Sequence, residues 1–302
     1  MSLVRKTILV TGSSRGLGKE LARYFWDRGA NLVLVSKDID LLHKALNDLT
    51  VRYKQKVDYL ACDLSDKKSL SLLIDKLKNF KFDAIINNAA IQGPIGKLND
   101  NDWLDWERTI QVNLLAPIYI IRGLLPSMLA QELPRGGVSL INLSGGGATA
   151  PRANFTAYAS SKSGLVGFTA TLAEELKNTN IRVNCIAPGP MPTDMLREVL
   201  DVGLLQAGAK EVSSAEKVIS NNVTSFYRVA ELCEFLISEK SKNVSGKLIS
   251  AVWDNWEDFD KLPVEILNSD LYTLRRITPE DRVDFLNKLS DASTLSNNKN
   301  IH

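Results

Sequence analysis

Thr7-Ile8-Leu9-Val10-Thr11-Gly12-Ser13-Ser14-Arg15-Gly16-Leu17-Gly18 is the first patterned stretch of this 302-residue chain, and its reading decides the architecture. A short apolar run ends at a glycine, and helical spacing takes over across Gly18 to Asp27. Glycine permits the sharp turn between the two and lets the backbone approach a ligand closely. The unpaired N–H groups at the start of the following helix favour an anion. Between a strand and a helix, this combination predicts a phosphate-binding turn.

The same alternation continues to about residue 250. Strands are expected at Lys6 to Val10, Asn31 to Val35, Val57 to Ala61, Asp83 to Ile86, Val138 to Leu143, Ile181 to Ala187 and Lys247 to Ser250. Helices are expected at Gly18 to Asp27, Ile39 to Tyr53, Lys67 to Asn79, Asp105 to Leu129, Thr156 to Lys177 and Ser225 to Ser238. A β-α-β-α order predicts an α/β, doubly wound, Rossmann-type parallel sheet of seven strands with helices on both faces. Residues 1–250 form one dinucleotide-binding and catalytic domain on this reading, and residues 251–302 a C-terminal extension.

Lysine plus arginine (37) balance aspartate plus glutamate (35), so no overall field points to nucleic acid or an anionic membrane as partner. Cys62, Cys185 and Cys233 are too scattered for a disulfide framework or a metal site. With His43 and His302 the only histidines, a histidine triad or zinc centre has little to be built from. The first apolar run is too short for a signal peptide and no later one approaches about 20 residues, so a soluble cytoplasmic protein is expected.

Ligands of such sheets bind beyond the carboxyl ends of the strands. At the second tip stand Ser36 and Lys37, where an NAD-selective site usually has a carboxylate. Lys37, together with Arg15, suits a 2′-phosphate, so NADP(H) is the preferred cofactor; Asp38 and Asp40 nearby leave NAD(H) open. Asp63-Leu64 and Asn87-Asn88-Ala89-Ala90 end the third and fourth strands. Further on, Tyr158-Ala159-Ser160-Ser161-Lys162 places a phenol and an ammonium one helical turn apart, where the cation is expected to lower the phenol's pKa.

Taken together, Thr11-Gly12-x-x-x-Gly16-x-Gly18, Asp63-Leu64, Asn87-Asn88-Ala89, Asn113 in Gln111-Val112-Asn113-Leu114, Tyr158-x-x-x-Lys162 and Pro188-Gly189-x-x-x-Thr193 resemble the short-chain dehydrogenase/reductase family over residues 5 to 250. The resemblance implies that Tyr158 is the acid or base at the reacting carbonyl or alcohol, and that Lys162 lowers its pKa and holds the nicotinamide ribose. It implies that Asn113 interrupts its helix and holds a proton-relaying water. Asp63 and Asn88 would face the adenosine half of the cofactor, with Leu64 beside them. Thr193, Met191 and the backbone after Pro188-Gly189 would fix the nicotinamide end. Around the phosphates would lie Gly12, Ser14, Arg15, Gly16, Leu17 and Gly18, with Ser36 and Lys37 at the ribose.

Two positions depart from the family pattern. Ala90 stands where glycine is usual, and Gly145 where a serine normally bonds the reacting oxygen. Ser144, one residue earlier in Ser144-Gly145-Gly146-Gly147, is expected to replace that serine through a bulge that re-aims its hydroxyl. The variable segment Met191 to Asn222 reads either as an apolar lid carrying Met195 or as a packing helix, and Arg152 is placed to hold an anionic substrate. The extension, with Trp253, Trp256 and Tyr272, is expected to pack to about Leu289 and cover the active-site mouth, offering Arg275 or Arg276 to an anion; Asn297 to His302 are expected to fray.

The functional expectation is an NADP(H)-dependent oxidoreductase interconverting a small carbonyl compound and its alcohol, as a homodimer or homotetramer. The substrate is left at a sugar derivative, a 3-oxoacyl compound or another anionic carbonyl. A cofactor-binding scaffold or redox sensor is the competing reading, and an epimerase or dehydratase is disfavoured by the glycine spacing.

Overall fold

The computed structural model describes residues 3–47, 49, 54–130, 137–221 and 226–282. Its centre is an all-parallel sheet of β1 (Thr7–Thr11), β2 (Asn31–Ser36), β3 (Val57–Ala61), β4 (Ala84–Asn87), β5 (Val138–Leu143), β6 (Ile181–Ala187) and β7 (Leu248–Ser250), in the spatial order β3-β2-β1-β4-β5-β6-β7. The expected seven strands therefore exist, each within one residue of its anticipated ends. Side chains alternate across the sheet: Ile8 and Val10 enter one apolar layer while Leu9, with Ile85 and Leu140, enters the other. Burial on both faces is why these strands read as continuous apolar runs.

The helices are α1 (Gly16–Asp27), α2 (Ile39–Ala45), α3 (Lys67–Leu77), α4 (Trp103–Ile110), α5 (Ala116–Leu129), α6 (Thr156–Glu175), α7 (Asp194–Ala207), α8 (Ala209–Asn221) and α9 (Phe226–Ile237). α2 ends before the expected Tyr53, and residues 50–53 lie outside the described set, as do Ser225, Asn222 and everything from 283 onward. The single helix expected over Asp105 to Leu129 is α4 and α5 joined by a π-helical turn at Gln111–Leu115. Trp103–Leu129 is long and apolar enough to cross a membrane by length and composition, which corrects the expectation that no such run exists. In the fold it is a core helix: Val112, Ala116, Ile120, Ile121 and Leu124 are buried against the sheet.

After β7 the chain turns back over the sheet's last edge. Trp256, Phe259 and Leu267 join the apolar layer that holds α1 and α9. The Leu248 N–H donates to Tyr272 O at 2.7 Å, and Lys247 Nζ donates to the carbonyls of Ser269 (2.7 Å) and Leu271 (3.0 Å). An edge strand left open exposes unpaired backbone groups, so this segment closes β7 from the side. Order reverses between β1 and β4, where α1 and the β4 loop diverge, and the crevice above that point is where a ligand is expected.

Candidate active site

Gly12 has φ +67°, and a Cβ built there would lie 2.7 Å from Ala89 Cα; one on Gly18 would lie 2.2 Å from Gly12 O. Only glycine fits either place. Asn88 was expected to face a nucleoside, yet its Nδ2 donates to Thr11 O (2.9 Å) and Gly12 O (3.2 Å). Thr11 Oγ1 accepts from the Asn88 and Ala89 N–H groups, so β4 braces the turn from behind. No side chain caps α1, which leaves its first N–H groups directed at the crevice.

A cleft of about 380 Å³ starts at this turn. At one end Ser36 Oγ donates to Ser14 Oγ at 2.9 Å. Lys37 Nζ is 2.7 Å from Asp63 Oδ2, and Ser65 bonds the other carboxylate oxygen. Burial pushes the Asp63 carboxyl up, but the Lys37 and Ser65 hydrogen bonds outweigh it and hold the group down at about 2. Asp63 is therefore not a free acceptor for a base. Arg15 similarly lies 3.6 Å from Asp194. Both cations are 65% exposed, so these pairs are screened by water and weakly held.

At the other end Tyr158, Lys162 and Asn113 are all buried. Asn113 sits in the π turn and uses its whole amide: Nδ2 donates to Ile91 O (2.9 Å) and Ser161 Oγ (3.1 Å), and Oδ1 accepts from Ile91 N–H (2.9 Å). Ser161 Oγ donates in turn to Tyr158 O at 2.7 Å. The helix is interrupted where expected, but the side chain acts as a clamp between the β4 loop and α6. Lys162 Nζ donates to Leu143 O at 2.7 Å and lies 5.7 Å from the Tyr158 ring centre.

The expected lowering of the phenol pKa is reversed here. Burial pushes Tyr158 up to about 12, and the cation opposing it is Arg152 rather than Lys162. Burial also pushes Lys162 down to about 8, because an ammonium in a low-dielectric wall is as costly as a phenolate.

Ser144 does not take the place left by Gly145. Its N–H continues the β5–β6 ladder by donating to Ile186 O at 2.8 Å, so no bulge intervenes. Its Oγ is buried with no hydrogen-bond partner and borders the Cys185 thiol, which burial pushes up to about 12. A Cβ on Gly145, by contrast, would lie 2.3 Å from the Tyr158 hydroxyl oxygen. Position 145 thus faces the phenol, while Ser144 lines the cleft with its hydroxyl against the Cys185 thiol.

Arg152 also departs from expectation. Its Nε and Nη2 bond Glu211 Oε2 at 3.0 and 2.9 Å, and its guanidinium lies 3.7 Å from the Phe155 ring centre. It ties the loop before α6 to α8 and does not line the cleft. α7 and α8 pack over Phe155 and Tyr158 through Val199, Ala207, Val212 and Ala215, so the variable segment is a packed cover, bent at Gly203 (φ +71°). Met191, Thr193 and Met195 line the cleft with Pro188, while Gly189 (φ +80°) turns the chain between them. Leu17 and Leu64 form apolar wall, and Thr193 stands over Gly16.

None of the described residues of the extension lines this cleft, and Arg275 is paired with Asp270 and Asp281. The polar or charged lining residues missed by sequence reasoning include Gln92, Arg108, Asp194 and Glu198. They lie outside the recurring motifs, and only Gln92, following Asn88-Ala89-Ala90-Ile91 at a strand tip, carried a positional signal. Among the described residues no group of three potential metal ligands is present.

A model of the short chain dehydrogenase family matches residues 6–202. A short chain dehydrogenase/reductase of Colletotrichum higginsianum is 32% identical over 260 residues, covering 84% of this chain and 94% of its own. The 3-oxoacyl-acyl-carrier-protein reductase FabG of Thermotoga maritima is 30% identical over 256 residues, covering 82% and 97%. A short chain dehydrogenase of Escherichia coli, solved in complex with NADPH, superposes with a TM-score of 0.70 at 25% identity, covering 83% of this chain and 98% of that one. With a glycine turn, an Asn113–Tyr158–Lys162 wall and a seven-stranded sheet in one frame, the chain belongs to the short-chain dehydrogenase/reductase family, oxidoreductases that act on CH–OH or C=O groups with NAD(P).

Proposed function

We propose that this protein is an NADP(H)-dependent reductase that interconverts a small-molecule carbonyl and its alcohol, with Tyr158 as the acid or base. The observation that carries the reading is that a collision-tight glycine turn and the buried Tyr158–Lys162 pair open onto one cleft. The residues fit the cofactor: the side-chain-free Gly12 and Gly18 let the turn pack tightly against Ala89 and upon itself at the edge of the cleft, and the N-terminus of α1 is uncapped beside it. When bound, the nicotinamide supplies or accepts the hydride.

The remaining work falls to side chains. Burial keeps the Tyr158 phenol protonated at neutral pH, so it can donate to a carbonyl oxygen as the acid of the reductive direction. Lys162, tied to Leu143 O, and Asn113, tied to Ile91 and Ser161, hold that wall in place. Lys37 and Arg15 select the 2′-phosphate by exchanging weak, solvent-screened carboxylate partners for it. The NADPH complex of the E. coli structure and the reductase activity in the FabG name support the same cofactor and direction. We further infer a homo-oligomer, since α4, α5 and the turn between them leave Trp103, Leu115 and Tyr119 exposed.

The test is kcat/KM with NADPH and NADH on a panel of diketones, oxoesters and aldehydes. Tyr158→Phe is expected to lower turnover by about 10²–10⁴-fold. Lys37→Ala is expected to lower kcat/KM for NADPH by about tenfold while leaving NADH unchanged. NADPH binding without reduction of any substrate would favour the scaffold or sensor, which the missing hydroxyl at Gly145 makes the rival reading.

A further inference from the structure

Gln92 is 3% exposed, lines the cleft, and its Nε2 is buried without a hydrogen-bond partner. A buried amide N–H left unpaired is costly, and in a working site such a group is commonly waiting for a ligand. Other polar groups of this wall are already engaged: Asn88 with the glycine turn, Asn113 with Ile91 and Ser161, Lys162 with Leu143, Arg152 with Glu211. Ser144 Oγ is the other unpaired donor, and it borders Cys185.

The position of Gln92 is held from both sides. Ile91 before it is gripped by Asn113 through two hydrogen bonds, and the same amide holds Ser161 on the helix that bears Tyr158. Gly93 after it has φ +70° and is pressed so closely on Thr109 of α4 that a Cβ would lie 2.1 Å from the Thr109 hydroxyl. The phenol and the Gln92 amide are thus two donors fixed to one frame, a preorganised pair. The last torsion of a glutamine is two-fold, so a rotation of its terminal amide exchanges the N–H and C=O positions and can present the N–H to a ligand in the cleft. Gly145 has no hydroxyl to offer, and the Ser144 hydroxyl, although its residue lines the cleft, lies against the Cys185 thiol.

We propose that Gln92 is a substrate-binding residue that donates a hydrogen bond to a second oxygen of the substrate, so that the protein selects carbonyl compounds bearing another oxygen acceptor close to the reacting carbon. The inference rests on Tyr158 holding the first, reacting oxygen. The donor is a neutral amide, which suits a neutral acceptor such as an ester or ketone oxygen; Arg152 is withdrawn onto Glu211, and Arg108 is the further cation of the cleft wall near α4.

The experiment compares kcat/KM with NADPH for ethyl 3-oxobutanoate and for 2-hexanone, which lacks the second oxygen. Wild type is expected to favour the oxoester. Gln92→Leu is expected to lose about tenfold or more on the oxoester and to keep its activity on the ketone. In Gln92→Glu the carboxylate can only accept, so oxoester activity falls at neutral pH and returns as acid protonates the group; a merely structural residue would not produce that profile. Equal losses on both substrates, or none, would overturn the proposal. If Gln92→Leu does not fold, the pH profile of Gln92→Glu decides. A Tyr158→Phe variant that keeps its turnover would sink the underlying reading instead, and no turnover of either substrate by wild type would sink both.

Discussion

Restoring a serine at position 145 should damage this protein, although relatives of its family usually carry one there. A Cβ at Gly145 would lie 2.3 Å from the Tyr158 hydroxyl oxygen, whereas ordinary contact begins near 3.4 Å. The phenol would therefore have to retreat by about 1.1 Å, the difference between those two distances. It has little room, because it shares one apolar cluster with Phe155 at the start of α6 and with Val199 of the α7–α8 cover. A displacement of roughly 1 Å at a reacting group can cost about 10²-fold in rate. Gly145→Ser is accordingly expected to lower kcat by about two orders of magnitude, while overpacking destabilises the fold by about 1–3 kcal/mol. NADPH affinity, set at the glycine turn, should not change. Steady-state kinetics, fluorescence titration with NADPH and chemical denaturation would measure the three quantities. A variant as active as wild type, or more so, would show that the loop yields and that Gly145 lacks only a hydroxyl.

Two further predictions concern stability. Lys162 binds its proton less tightly when folded (about 8) than an ordinary lysine does (10.5), so the unfolded chain carries more protons between those values. Wild-type stability should then gain a rising contribution from pH 8 to 10.5, on the order of 3 kcal/mol at most, that Lys162→Met lacks. Denaturation curves of both proteins across that range would check it, and parallel pH profiles would refute it. Trp256 is buried in the α1–α9 layer, its ring centre 5.8 Å from that of Phe235, and its Nε1 donates to Ala251 O. Trp256→Ala should destabilise by about 3–5 kcal/mol and leave kcat/KM per folded molecule intact, because the extension is remote from the cleft.

Much of this protein was legible in its residues alone. Strand positions, the glycine turn and the pairing of Tyr158 with Lys162 on one helix all follow from local periodicity or from a backbone conformation that only glycine tolerates, whereas the interruption at Asn113 was implied only by the family resemblance. What tertiary structure decided was where side chains with several options went. Whether position 144 or 145 faces the phenol depends on where β5 stays in register with β6, a matter of one residue in alternation. Lys37, Arg15 and Arg152 found carboxylates at Asp63, Asp194 and Glu211, partners contributed by other loops and helices. The phenol's pKa is raised because burial, set by α7 and α8 closing over it, outweighs the opposing Arg152 guanidinium, while the Lys162 ammonium is bound to Leu143 O. Short-range order is written in spacing along the chain; the partner and the dielectric of a charged or polar group are set only when distant segments meet.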